Sequence, residues 1–215
     1  MSVKIKPLTA GWIVAIVYLV GFVGFKFQET KGIMNQLIWV NLLFTLIVLL
    51  IYHKKWNGAF IFSSILIGVC GYFLEVVGVK SGYIFGHYQY GNALGFKYWD
   101  TPIMMFVNWL TTVYITRQIA EQVTKDPMLH SFIAALLMVL LDYFIEPFAI
   151  HTNMWTWQNG VIPFQNYVGW FVSGFIFQYI YLKSVKFPVN NLSLAIYLIQ
   201  LSFFIALYLT PKAYL

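Results

Sequence analysis

Apolar residues in this chain fall in long blocks, not at the one-face spacing of a soluble amphipathic helix. A helix needs about 17 to 25 mainly apolar residues to cross hydrocarbon. Seven blocks suit that length, near residues 8–25, 33–52, 58–79, 102–116, 129–149, 164–182 and 191–209. The fourth is short and is predicted to continue into the polar segment around Arg117 to Glu121. The pattern predicts an all-α polytopic membrane bundle of about seven transmembrane helices, a single domain over 1–215 with its core motif region at 70–182. Two aromatic-rich stretches, 80–101 and 150–163, are both odd-numbered loops and therefore share one face.

Composition agrees. The 215 residues are 60% hydrophobic, 20% aromatic and 9% charged, whereas soluble domains carry about 25% charged residues. The net charge of +6 does not point to nucleic acid, because the basic residues sit at the ends of apolar blocks, where they anchor helices and set topology. Counted by side, Lys4, Lys6, Lys54, Lys55, Arg117, Lys125, Lys183 and Lys186 oppose Lys26, Lys31, Lys80, Lys97 and Lys212. That bias predicts a cell-membrane protein with its N-terminus in the cytoplasm and its C-terminus outside. The first block is longer than a signal core and is followed by further spans, so no cleavable signal is expected. The single cysteine, Cys70, lies in an apolar run and reads as a small buried residue.

Ionisable groups within spans are costly, by about 2.5 to 3.5 kcal/mol on the gentlest scale, and default to a functional reading. Glu75, Asp142 and Glu146 all lie toward the face that holds the aromatic loops. Asp142 and Glu146 are four residues apart and share a helix face. Buried without a cation, such acids favour the neutral form, and a neutral carboxylic acid is a proton donor. The competing reading is that the two glutamates snorkel into the interface or bond loop amides. Asn108 and Asn166, with Trp109 and Trp170, enter the same region from the following helices. Tyr88, Tyr90, Trp99, Trp155 and Trp157 fit an interfacial aromatic belt, but their concentration in two loops suits a groove for a long apolar ligand and a transient cation, worth about 0.5 to 2 kcal/mol per ring. Asp100 is expected to cap the fourth helix. His87 and His151 lack metal-ligand spacing and read as interfacial hydrogen-bonding groups; His53 and His130 lie toward the other face. Gly82, Gly86, Gly91 and Gly95 let their loop turn tightly, as turn residues or as a lid. The remaining helices read as scaffold.

The two stretches repeat an order of acid, paired aromatics, proline, amide and tryptophan, which suggests a parallel duplication around a pseudo-twofold site. At Glu75 to Gly78, Ser81-Gly82, Phe85-Gly86, Tyr88, Tyr90, Leu94-Gly95, Pro102 and Trp109, then Asp142, Pro147, Trp155, Trp157, Gly160, Pro163, Asn166 and Gly169-Trp170, the chain resembles the integral-membrane carotenoid hydratases: carotenoid 1,2-hydratases and bisanhydrobacterioruberin hydratases. Glu146 stands where many members have aspartate, and Ser81 where threonine is more usual. The resemblance covers the third to sixth helices. It implies addition of water to the terminal double bond of an acyclic carotenoid end, giving a tertiary alcohol. Glu75, Asp142 and Glu146 would be catalytic, with Asp142 or Glu75 as proton donor. Tyr88, Tyr90, Asn108, Trp109, Trp155, Trp157, Asn166 and Trp170 would bind substrate and water, and the polyene tail would lie along the helices toward lipid. No cofactor or metal is demanded, and the partners are the carotenoid, water and the bilayer. A lycopene-type cyclase, which makes the same cation, is the closest alternative; a non-enzymatic carotenoid- or lipid-binding protein is another. A magnesium-dependent prenyltransferase lacks basic partners here, and a retinal sensor lacks a lysine in its seventh helix.

Overall fold

A computed structural model describes residues 5–210; Lys4 and Lys212, both used in the charge count, lie outside them. Eight α-helices follow in order: α1 (Pro7–Gly24), α2 (Gln28–Gln36), α3 (Ile38–Ile51), α4 (Gly58–Ser81), α5 (Met104–Val123), α6 (Pro127–His151), α7 (Phe164–Ser184) and α8 (Leu192–Leu209). Short strands β1 (Tyr88–Tyr90), β2 (Lys97–Tyr98) and β3 (Thr101–Pro102) lie between α4 and α5, and β4 (Trp155–Trp157) lies between α6 and α7.

The helix boundaries follow from local chemistry. Asn57 caps α4 by accepting from the Phe60 N–H at 2.8 Å, and Asp126 caps α6 through the Leu129 N–H at 2.8 Å, with Pro127 in the first turn. Such oxygens satisfy amides that have no carbonyl partner in the first turn. Helix α4 ends at Gly82, whose φ of 69° stops the helix.

Of these helices α1, α4, α6 and α8 are long and apolar enough to cross a membrane. The second expected span is instead two helices, α2 and α3, bent by 53°; taken as one broken span it makes five. Helices α5 and α7 have 20 and 21 residues, a length of about 30 Å, but are more polar. In α5 the polar side chains point inward: Thr111, Thr112, Thr116, Arg117 and Gln118 are all buried. Helix α5 runs to Val123 and is packed by α3, α4, α6, α7 and α8, while α1 lies against α8.

The two aromatic loops meet directly. Strands β1 and β4 pair antiparallel, with Tyr88 opposite Trp157, Gln89 opposite Thr156 and Tyr90 opposite Trp155. This ladder ties the end of α4 to the end of α6 on one face of the bundle. Asp100 does not cap α5, whose first-turn neighbour is Ile103. It occupies, with Trp99, the two-residue turn of the β2–β3 hairpin, where both have positive φ (61° and 50°), the geometry that suits aspartate in such turns.

Candidate functional site

Glu75, Asp142 and Glu146 are all buried, exposed by 2%, 5% and 1%. Glu75 lies six residues before the end of α4 and Asp142 nine before the end of α6, about 9 and 14 Å along the helices.

Glu75 is enclosed by donors. The hydroxyls of Tyr88 and Tyr90 donate to its Oε2 at 2.5 and 2.7 Å, and the Trp109 indole N–H donates to Oε1 at 2.9 Å. Glu146 has a matching shell: the indoles of Trp155 and Trp157 donate to Oε2 at 3.0 and 2.8 Å, and the Asn166 amide donates to Oε1 at 3.0 Å. Each glutamate thus takes two donors from the strand that follows its helix and one from the helix after that. The two hairpins repeat one bonding plan, and Trp109 and Trp170 stack where they meet, ring centres 4.3 Å apart and planes 10° apart.

Asp142 is bound differently. The Asn166 amide donates to its Oδ2 at 2.8 Å, and its Oδ1 has no hydrogen-bond partner among the described residues. A donor-only shell complements an acceptor, which fits the glutamates as carboxylates; an acid with one free oxygen has room to present a proton. The loop tyrosines keep their protons and so remain donors: burial first, and then the charge of Glu75, push the Tyr88 and Tyr90 hydroxyls well above the usual tyrosine range.

Two cavities meet at these groups. The smaller, about 20 Å³, is lined by Glu75, Asp142 and Glu146 with Tyr88, Tyr90 and Trp157, and has room for about one water. The larger, about 290 Å³, is mostly apolar and reaches Asp142 from the side of α1, α3 and α8. Met105, Asp142, Trp155 and Trp170 line both. Of the residues expected to bind substrate, Asn108, Trp155 and Trp170 face the larger cavity. Tyr88, Tyr90, Trp109, Trp157 and Asn166 instead hold the acids. Asn108 makes no hydrogen bond to any of the three. The scaffold reading of the flanking helices is corrected: Val17 and Gly21 of α1, Asn41 of α3 and Gln200 of α8 line the larger cavity. Hydropathy alone could not show this, since apolar side chains against a cavity and against lipid look the same in sequence. Among the described residues no group of three His, Cys, Asp or Glu could hold a metal ion.

Apolar helices around buried acids and an apolar cavity are consistent with a membrane environment and a lipophilic substrate. Residues 36–214 match the family described as carotenoid biosynthesis protein, and the chain belongs to that family. It is similar to a bisanhydrobacterioruberin hydratase from Haloarcula japonica, 24% identical over 111 residues. That match covers 48% of this chain and 38% of the relative, so the chain spans well under half of its length. No solved structure matches.

Proposed function

We propose that this protein is a carotenoid hydratase, adding water across the terminal carbon-carbon double bond of an acyclic carotenoid end. The observation that carries the reading is Asp142 at the junction between an apolar cavity and a water-sized one. The chain end enters the larger cavity, and Asp142 transfers a proton to the CH carbon of the terminal double bond. The tertiary cation forms on the dimethyl carbon against Trp155 and Trp170, whose faces stabilise positive charge by about 0.5 to 2 kcal/mol each. Water in the smaller cavity attacks that carbon and forms the C–O bond. Its proton passes to Glu146, which shares the Asn166 amide with Asp142, and returns to Asp142 to close the cycle. Glu75 and its tyrosines hold the far side of the water cavity. A cyclase would quench the cation with a second double bond of the chain, and the water-sized space beside Asp142 favours water instead.

The test is expression beside an acyclic carotenoid pathway, with pigment mass and chromatography as readout. The expected product gains one water and no ring, and Asp142→Asn loses about 100- to 10,000-fold in rate, the range for removal of a general acid. A ring product, or full activity in the Asp142→Asn variant, overturns the proposal.

A further inference from the structure

The larger cavity has a lateral mouth. Val20 on α1 and Leu37 at the α2–α3 bend line it, yet these side chains are exposed by 57% and 43%. They face outward, where lipid surrounds a membrane bundle. The seam between α1 and α2–α3 is pinned above and below this point. Above, α1 and α2 touch at Gly24, where an added Cβ would stand 2.6 Å from the Met34 side chain, and the Thr30 hydroxyl donates to the Gly24 carbonyl at 2.6 Å. Below, the Tyr18 hydroxyl meets the Thr45 hydroxyl at 3.4 Å and accepts from the Gln200 amide at 2.9 Å. Tyr18 and Gly24 are six residues apart, which sets a window about 9 Å high along α1. Val20 lies between the pins, whereas Gly21 beside it turns toward Phe203 of α8.

Resting on the hydration reading above, we propose that this window is a portal through which the acyclic isoprenoid enters from the bilayer and through which its tail protrudes during reaction. Cavity size supports that occupant. At about 290 Å³ the cavity is at the lower end of the roughly 300 to 1,000 Å³ of drug-sized ligand sites. It takes one end of a long polyene, and the rest remains among the acyl chains. An apolar chain leaves lipid for an apolar passage without passing through water, so the cost of exposing it is avoided.

The experiment compares Val20→Trp and Leu37→Trp with Val69→Trp, a substitution at an exposed position of α4 remote from the window. Each is assayed in proteoliposomes with a full-length acyclic carotenoid and with a short acyclic isoprenoid that has the same terminal double bond. The expected result is a tenfold or greater fall in kcat/KM for the long substrate in both window variants, a several-fold smaller fall for the short one, and none for Val69→Trp. A photo-crosslinking amino acid at Val20, but not at Val69, is expected to capture the carotenoid. Equal effects on both substrates, no effect on either, or capture at both positions would overturn the portal. If the wild-type protein hydrates neither substrate, it is the hydration reading that fails, and crosslinking still reports whether a polyene occupies the window.

Discussion

Asn166 divides one amide group between two acids, donating to Asp142 Oδ2 and Glu146 Oε1, and this fixes what single substitutions do. Glu75→Gln turns an acceptor of three bonds into a group that must present an NH₂ to at least one donor. A buried donor left unpaired costs about 1 to 3 kcal/mol, so thermal unfolding in detergent is expected to show that loss together with reduced product. Asp142→Asn differs, because only Oδ2 is bonded and the new NH₂ can take the place of the free Oδ1. Its stability is expected to stay within about 1 kcal/mol of the parent while hydration is lost. Should the two variants lose stability equally, the assignment of Asp142 as the acid with an open oxygen is wrong.

The element that joins the two halves is the β1–β4 ladder, and its tightest point is Gly91. There an added Cβ would stand 2.0 Å from the Asn153 backbone carbonyl, and the Gly91 N–H donates to the Met154 carbonyl at 3.0 Å. Gly91→Ala must push the loops apart and with them the four strand aromatics, Tyr88, Tyr90, Trp155 and Trp157, that donate to Glu75 and Glu146. A destabilisation of about 1 to 3 kcal/mol is expected, with loss of product. Gly32→Ala in α2, where nothing lies within 4 Å, is expected to leave product unchanged and to raise stability by about 0.5 to 1 kcal/mol, the helix preference of alanine over glycine; thermal scans of both variants check it. The acids, aromatics and proline-broken loops of this element were legible in sequence, since charges in apolar helices and tyrosine-tryptophan pairs stand out from their background. The pairing register was not legible, nor was the division of aromatics between holding acids and lining a cavity, because both depend on which face each helix turns inward. The bend at Leu37 was hidden for a similar reason: a broken span has the same hydropathy as a straight one.

Over the whole molecule, α5 links two buried polar centres at opposite ends, Trp109 on Glu75 and Arg117 at the other. Arg117 is 2% exposed and donates to the Tyr181 and Val185 carbonyls at 3.0 and 2.6 Å, closing the C-terminal end of α7, with Phe187 packed 4.2 Å from the guanidinium. Charged hydrogen bonds of this kind contribute about 1.5 to 3 kcal/mol. Arg117→Met is expected to lose that much stability while product per folded molecule is unchanged. Since this arginine is a structural cap, it drops out of the loop charges that set topology, leaving seven against five. On that remaining bias we propose that the aromatic-loop face lies outside the cell. Tyr83 and Val161, exposed by 87% and 67%, lie in the two loops joined through β1 and β4, whereas Lys125 lies in the turn between α5 and α6 on the opposite face. In a Cys70→Ala background, Tyr83→Cys and Val161→Cys are therefore expected to react with a membrane-impermeant maleimide in intact cells, and Lys125→Cys only after permeabilisation. Inverse labelling would reverse the orientation but leave the bundle intact. Labelling of all three from one side would mean that neither α5 nor α6 crosses the membrane, and the depth assigned to the acids would go with it.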